Sequence, residues 1–239
     1  MGKASSGRKF FMWNLIVACV LFVGSHFLLS SNYIRPRLVG VFGETGFAGI
    51  HSIISIVLLV WAVRALNVAP EIILWTPPIG LRHISLTVMP LACILIVAGL
   101  TTPNPTMAGT NIRNIASRGP VGIMKVTRHP FLWGVGLWGL VHILANGDAA
   151  ALTFFGALTV LALGGTLHLD ARRRATLGKV WTVYAAQTSN LPFQAMAGGR
   201  TKLVFSQIGW WRIGLGLALY LVLLSLHRTV IGVPPFFLP

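Results

Sequence analysis

Apolar residues arrive in long blocks separated by short polar or proline-containing stretches. They do not alternate as in a half-buried strand. A run of about 20 apolar residues crosses a bilayer as a helix. Six blocks are candidates: residues 10–31, 46–66, 83–102, 130–145, 149–168 and 208–228. Pro103 and Pro105 close the third. The fourth is short, so it must tilt, or the segment 119–129 leading into it must dip into the membrane. Asn146-Gly147-Asp148 predicts a tight turn in which Gly147 ends one helix and Asp148 caps the next. Spans four and five then form an antiparallel hairpin. Between Asp170 and Tyr184, Leu177, Val180, Trp181 and Tyr184 mix with Arg172, Arg173, Arg174 and Lys179. This pattern predicts an amphipathic helix lying on the interface. The whole predicts an all-α polytopic membrane bundle of about six spans plus that interfacial helix, one domain over residues 1–239.

Composition agrees. Of 239 residues, 55% are hydrophobic and 10% charged, and the mean hydropathy is +0.77. Soluble domains carry about 25% charged residues. The net charge of +15 arises from 19 Lys+Arg against 4 Asp+Glu. These cations lie between apolar blocks and form no separate basic domain, which argues against nucleic acid and for anionic lipid headgroups. Thirteen of them fall on the side of the connections that holds Arg35, Arg128 and Arg173, and six on the other. The richer side is expected to be cytoplasmic, which with six spans puts both termini opposite. Cys19 and Cys93 sit inside apolar blocks and read as buried small residues, giving neither a disulfide framework nor a thiolate metal site. Phe10 to Leu29 is longer than a signal-peptide core and reads as a retained first span.

Histidine dominates the polar chemistry. Only the carboxylates Glu44, Glu71, Asp148 and Asp170 occur and none adjoins another, which argues against paired-carboxylate catalysis. No phosphate-binding glycine loop and no hydrolase triad motif occurs, and no residue is assigned as catalytic. His26 shares a helix face with Cys19, seven residues earlier. His142 shares one with Gly134, Trp138 and Gly139. Two readings of that face stay open: the glycine leaves room for a flat macrocycle walled by Trp138, or the glycines let helices pack closely. His26 and His142 could hold one haem iron from two helices. For that, the first helix must outlast its apolar block or the fourth must start within the membrane. Arg128 and His129 precede Pro130 at a helix N-terminus, where His129 could bind an anion, cap a neighbour or ligate a metal. His51 is a possible third imidazole, read as structural; His83, His168 and His227 read as interfacial.

Thr127-Arg128-His129-Pro130, with Leu137-Trp138, His142 and Ala145-Asn146-Gly147-Asp148, resembles the NnrU family of bacterial membrane proteins. Ser25-His26 and Leu74-Trp75-x-Pro77-Pro78 extend the resemblance, which covers most of residues 12–228. It implies a bacterial inner membrane and a link to denitrification. That family is similar to the 15-cis-zeta-carotene isomerases, membrane enzymes that bind haem b through histidines. The resemblance makes His26 and His142 the preferred axial ligands, His129 a supporting or alternative one, and a hydrophobic polyene the implied substrate. Where those isomerases tend to show Cys-x-x-His, this chain has Gly139-Leu140-Val141-His142, so no thiolate can ligate from that position. A second likeness joins Gly119, Arg128-His129-Pro130, Asp170, Trp181, Tyr184 and Leu191-Pro192 to the cofactor region of membrane isoprenylcysteine and phospholipid methyltransferases. It implies an S-adenosylmethionine site using Arg128, His129 and Asp170. A third class is a non-enzymatic transport or assembly component for denitrification.

Overall fold

A computed structural model describes residues 2–107 and 112–235. Among these the chain is all-α. The helices are α1 Gly2–Leu29, α2 Ile34–Val68, α3 Ile79–Thr101, α4 Ile112–Ser117, α5 Pro130–Asn146, α6 Ala149–Leu177, α7 Lys179–Ala186, α8 Gln194–Ala197 and α9 Trp210–Ile231. Five are long and apolar enough to cross a membrane: α1, α2, α3, α6 and α9. The sixth expected span, α5, has 17 residues and reaches about 25 Å, short of the roughly 30 Å hydrocarbon core.

Two boundaries differ from expectation. α2 starts at Ile34 rather than near residue 46 and runs for 35 residues, with Gly43 at φ 71° breaking it. Its first turns carry Arg35, Pro36 and Arg37, so hydropathy alone does not reveal them as helix. Arg35 pairs with Glu44 just past the break. The expected interfacial helix over Asp170–Tyr184 is two pieces. α6 continues through Asp170 to Leu177, Gly178 turns the chain at φ 57°, and α7 follows.

The chain divides into two compact units. The first takes the chain up to Ser85 together with Trp138–Arg172. Its core joins Leu15, Ala18 and Cys19 of α1 to Ala62 and Ala65 of α2 and to Ala150 and Phe154 of α6. The one-turn spacing of these residues makes a stripe on each helix, and the small alanines allow the close backbone approach that drives helix association in lipid. Ile53, Ile56, Val57 and Val63 of α2 stay exposed, an apolar surface suited to acyl chains.

Within this unit the α5–α6 turn forms as predicted. Gly147 adopts φ 77°, and the Asp148 Oδ1 atom accepts the Ala151 N–H at 2.8 Å. The segment 72–75 clasps the turn: the Gly147 carbonyl accepts the Leu74 and Trp75 N–H groups at 2.9 and 3.0 Å, and the Ala149 N–H donates to Ile72 O at 2.9 Å. Asp148→Ala removes one cap and is expected to lower stability by about 1 kcal/mol, read as a lower melting temperature in detergent.

The second unit takes Leu86–Leu137 and the chain from Arg173. Leu95 and Ala98 of α3 pack with Ile123, Met124, Val126 and Ile208. Gly99 lets α3 lie against the start of α5, since a Cβ there would stand 2.5 Å from the Phe131 nitrogen. A smaller core gathers Ala116, Leu177, Trp181 and Tyr184.

Candidate functional site

In the first unit His26 lies one turn before the end of α1. Its Nδ1 atom is 2.7 Å from the Phe22 carbonyl. That carbonyl can only accept, so Nδ1 carries a proton. Nε2 faces the Ser55 hydroxyl at 3.2 Å. Ser55 has one proton and also lies 2.7 Å from the His51 carbonyl. When the proton goes to that closer acceptor, the Ser55 oxygen faces His26 Nε2 without donating to it.

His51 meets His26 edge to face, ring centroids 5.1 Å apart. Its Nε2 atom is buried and has no hydrogen-bond partner. The nearest imidazole found beside His26 is therefore one that the sequence suggested was structural. His168, expected at an interface, is half-buried and contacts Ser30 through Nε2 at 3.1 Å.

His142 repeats the His26 arrangement on α5. Its Nδ1 atom lies 2.7 Å from the Trp138 carbonyl. Its ring stacks on Phe155 at 4.7 Å and lies 5.1 Å from Trp138, so Trp138 does wall this imidazole. Gly139 serves a different purpose from the macrocycle gap. A Cβ there would collide with the Thr159 hydroxyl and stand 3.1 Å from the Phe155 carbonyl. Close packing of α5 on α6 is the reading that holds. Gly139→Ala is expected to cost about 1–3 kcal/mol by overpacking, measured as a lower melting temperature.

The heights of the two histidines can be read along α6. Phe27 lies against Gly164, and Ser30 meets His168, so α1 and α6 run the same way. His142 sits at Phe155, while His26 is one turn below Ser30. Their backbones differ in height by roughly 13 Å along α6. α1 ends at Leu29 and does not outlast its apolar block. α1 and α5 run in opposite directions, however. Each back-bond to the carbonyl four residues earlier draws its ring toward the other's level. Each imidazole shares one feature of a metal-ligating histidine: Nδ1 is engaged by a backbone carbonyl, which leaves Nε2 as the ring nitrogen that would ligate.

Arg128 and His129 belong to the second unit. Pro130 opens α5, and His129 is 1% exposed. The turn is laced to residues 189–193. Thr127 Oγ1 donates to Asn190 O at 2.6 Å, the Arg128 N–H to Ser189 O at 3.0 Å and the Phe193 N–H to Val126 O at 2.8 Å. Trp133 Nε1 adds a bond to Asn190 Oδ1 at 3.2 Å. Asp170, the acidic member of the methyltransferase likeness, belongs to the first unit.

Comparison with known proteins matches residues 14–235 to the family described as NnrU protein. The chain belongs to the NnrU family. Within that frame it is 37% identical over 82 residues to 15-cis-zeta-carotene isomerase, chloroplastic, of Zea mays, and 34% identical over 82 residues to the protein of that name from Arabidopsis thaliana. Each match covers 34% of this chain and 22% of the relative. No solved structure matches the chain significantly. This NnrU protein is thus an integral membrane protein distantly related to carotene isomerases.

Proposed function

We propose that this NnrU protein binds haem b in its first unit, with His26 and His142 as axial donors, and serves a redox or double-bond isomerase role on an apolar polyene. The observation that carries this reading is the shared hydrogen-bond arrangement of the two imidazoles. Each gives its Nδ1 proton to a carbonyl at 2.7 Å, which makes Nε2 the ring atom that would ligate. Haem b would supply a redox-active iron there, its potential set by axial ligands and burial. The chain's own residues hold and orient: the Phe22 and Trp138 carbonyls fix the tautomers, and the Phe155 and Trp138 rings fix the His142 plane. The partial likeness to isomerases of a carotene supports a lipid-dissolved substrate, which the outward apolar face of α2 can admit.

An absorption spectrum of the detergent-solubilised protein, before and after haem addition, tests this. A Soret band that saturates at one haem per chain is the expected result. A protein that stays colourless and instead binds S-adenosylmethionine would overturn it in favour of the methyltransferase reading.

A further inference from the structure

α2 is longer than a crossing requires. Its 35 residues extend about 52 Å, against a hydrocarbon core of roughly 30 Å. Gly43 breaks it at φ 71° and ψ 170°, a backbone that residues with a side chain rarely adopt. The part after the break, residues 44–68, reaches about 37 Å and is long enough to cross by itself. Residues 34–42 are surplus to the crossing, and the break lets them leave its direction. A Cβ at Gly43 would meet nothing within 4 Å, so the glycine serves the bend rather than packing. Arg35 pairs with Glu44 across the break and lies 5.2 Å from the Phe47 ring centre, which ties the two pieces together.

The surplus turns are amphipathic. Ile34, Leu38, Val41 and Phe42 follow the i, i+4, i+7, i+8 spacing of one helix face. Pro36 and Gly40 fall on the opposite side, with Arg37 at its rim. Val41 is 76% exposed, Phe42 51%, and Tyr33, just before the first turn, 69%. The rest of the described chain thus leaves these apolar groups largely uncovered. The Arg37 guanidinium lies over the Tyr33 ring, 3.6 Å from its centre, and Nη1 donates to Tyr33 O at 3.4 Å. Arg37 is exposed, and among the described residues no carboxylate pairs with it. Glu44, the acidic group nearest in sequence, is taken by Arg35.

We infer that residues 34–42 lie along the membrane surface as an interfacial helix, with Val41 and Phe42 among the acyl chains and Arg37 on the phosphate of an anionic phospholipid. A helix with an apolar face and a basic rim lies in the headgroup layer, and tyrosine is enriched at that level. A guanidinium meets phosphate through paired N–H groups. Most of the chain's Lys and Arg fall on this side, the one expected to face anionic lipid. A straight continuation of the helix would carry Val41 and Phe42 into water. A second copy of the segment would offer Arg37 no carboxylate of its own.

The full chain in nanodiscs of phosphatidylcholine and phosphatidylglycerol tests this. A nitroxide is attached at Phe42→Cys in one sample and at Gly40→Cys in another; Cys19 and Cys93 are buried, and the wild-type chain controls for their labelling. Accessibility to oxygen and to a nickel chelate is then read by electron paramagnetic resonance. Position 42 should favour oxygen and position 40 the chelate. Chelate preference at both positions, oxygen preference at both, or protection from both reagents overturns the proposal, since these mark a segment in water, within the span or covered by protein. Val41→Cys replaces Phe42→Cys if melting curves show that variant misfolded. In a second measurement, lipid retained from the nanodiscs is counted by native mass spectrometry. The wild-type chain should prefer phosphatidylglycerol, and Arg37→Gln should reduce that preference about fivefold. No preference in wild type, or an undiminished one in folded Arg37→Gln, also overturns it. None of these readouts depends on a bound cofactor.

Discussion

His142→Ala is expected to abolish the Soret band of the haem-loaded protein, and His26→Ala to do the same. An axial imidazole contributes the bond to iron itself. Changes to groups that merely orient a metal ligand already cost about 10–100-fold in affinity, so removing the ligand should cost at least that. His168→Ala provides the contrast. It removes a half-buried imidazole that contacts the Ser30 backbone, and its band should persist. His51→Ala is the discriminating member, because His51 stands 5.1 Å from His26. If His51 only packs there, the band keeps its position and loses little intensity. Haem titration followed at the Soret maximum measures all four. Wild-type spectra from both His26→Ala and His142→Ala would end the assignment of these two residues as ligands.

Gly147→Val is expected to remove most of the stability of the folded protein. Gly147 holds φ 77°, and a Cβ there would collide with the Trp75 carbonyl and stand 3.0 Å from the Pro77 ring. A β-branched residue in this region carries about 1–3 kcal/mol of backbone strain. Overpacking against Trp75 and Pro77 adds about 1–3 kcal/mol. The total is a large share of the roughly 5–15 kcal/mol that holds a typical domain together. Gly147→Ala should fall between valine and wild type. Thermal melting in detergent ranks the three, and a valine variant melting with wild type would contradict the account.

The hairpin turn was legible because its signals are local. Glycine at a helix end and aspartate at a helix start act within one turn of the chain, and both act as read. Five of the six expected spans were legible from apolar block length, and α5 falls short of one. The early turns of α2 were hidden because Arg35, Pro36, Arg37 and Glu44 interrupt hydropathy without interrupting helix. Gly178 was the missed signal in the Asp170–Tyr184 stretch. It breaks the predicted single helix and turns Trp181 and Tyr184 into the interior. Gly139 illustrates a different limit. A glycine one turn from a histidine is compatible with a cofactor gap or a tight helix crossing, and only the position of Thr159 decides between them. The His26–His51 contact joins residues 25 positions apart on antiparallel helices, a register that apolar blocks do not encode.

The second unit carries arginine and lysine but no Asp or Glu. Dissolved salt screens that charge, because the Debye length shortens from about 10 Å at 0.1 M to about 3 Å at 1 M. Ionic strength therefore sets how far the arginines and lysines of this half of the molecule attract anions from a distance.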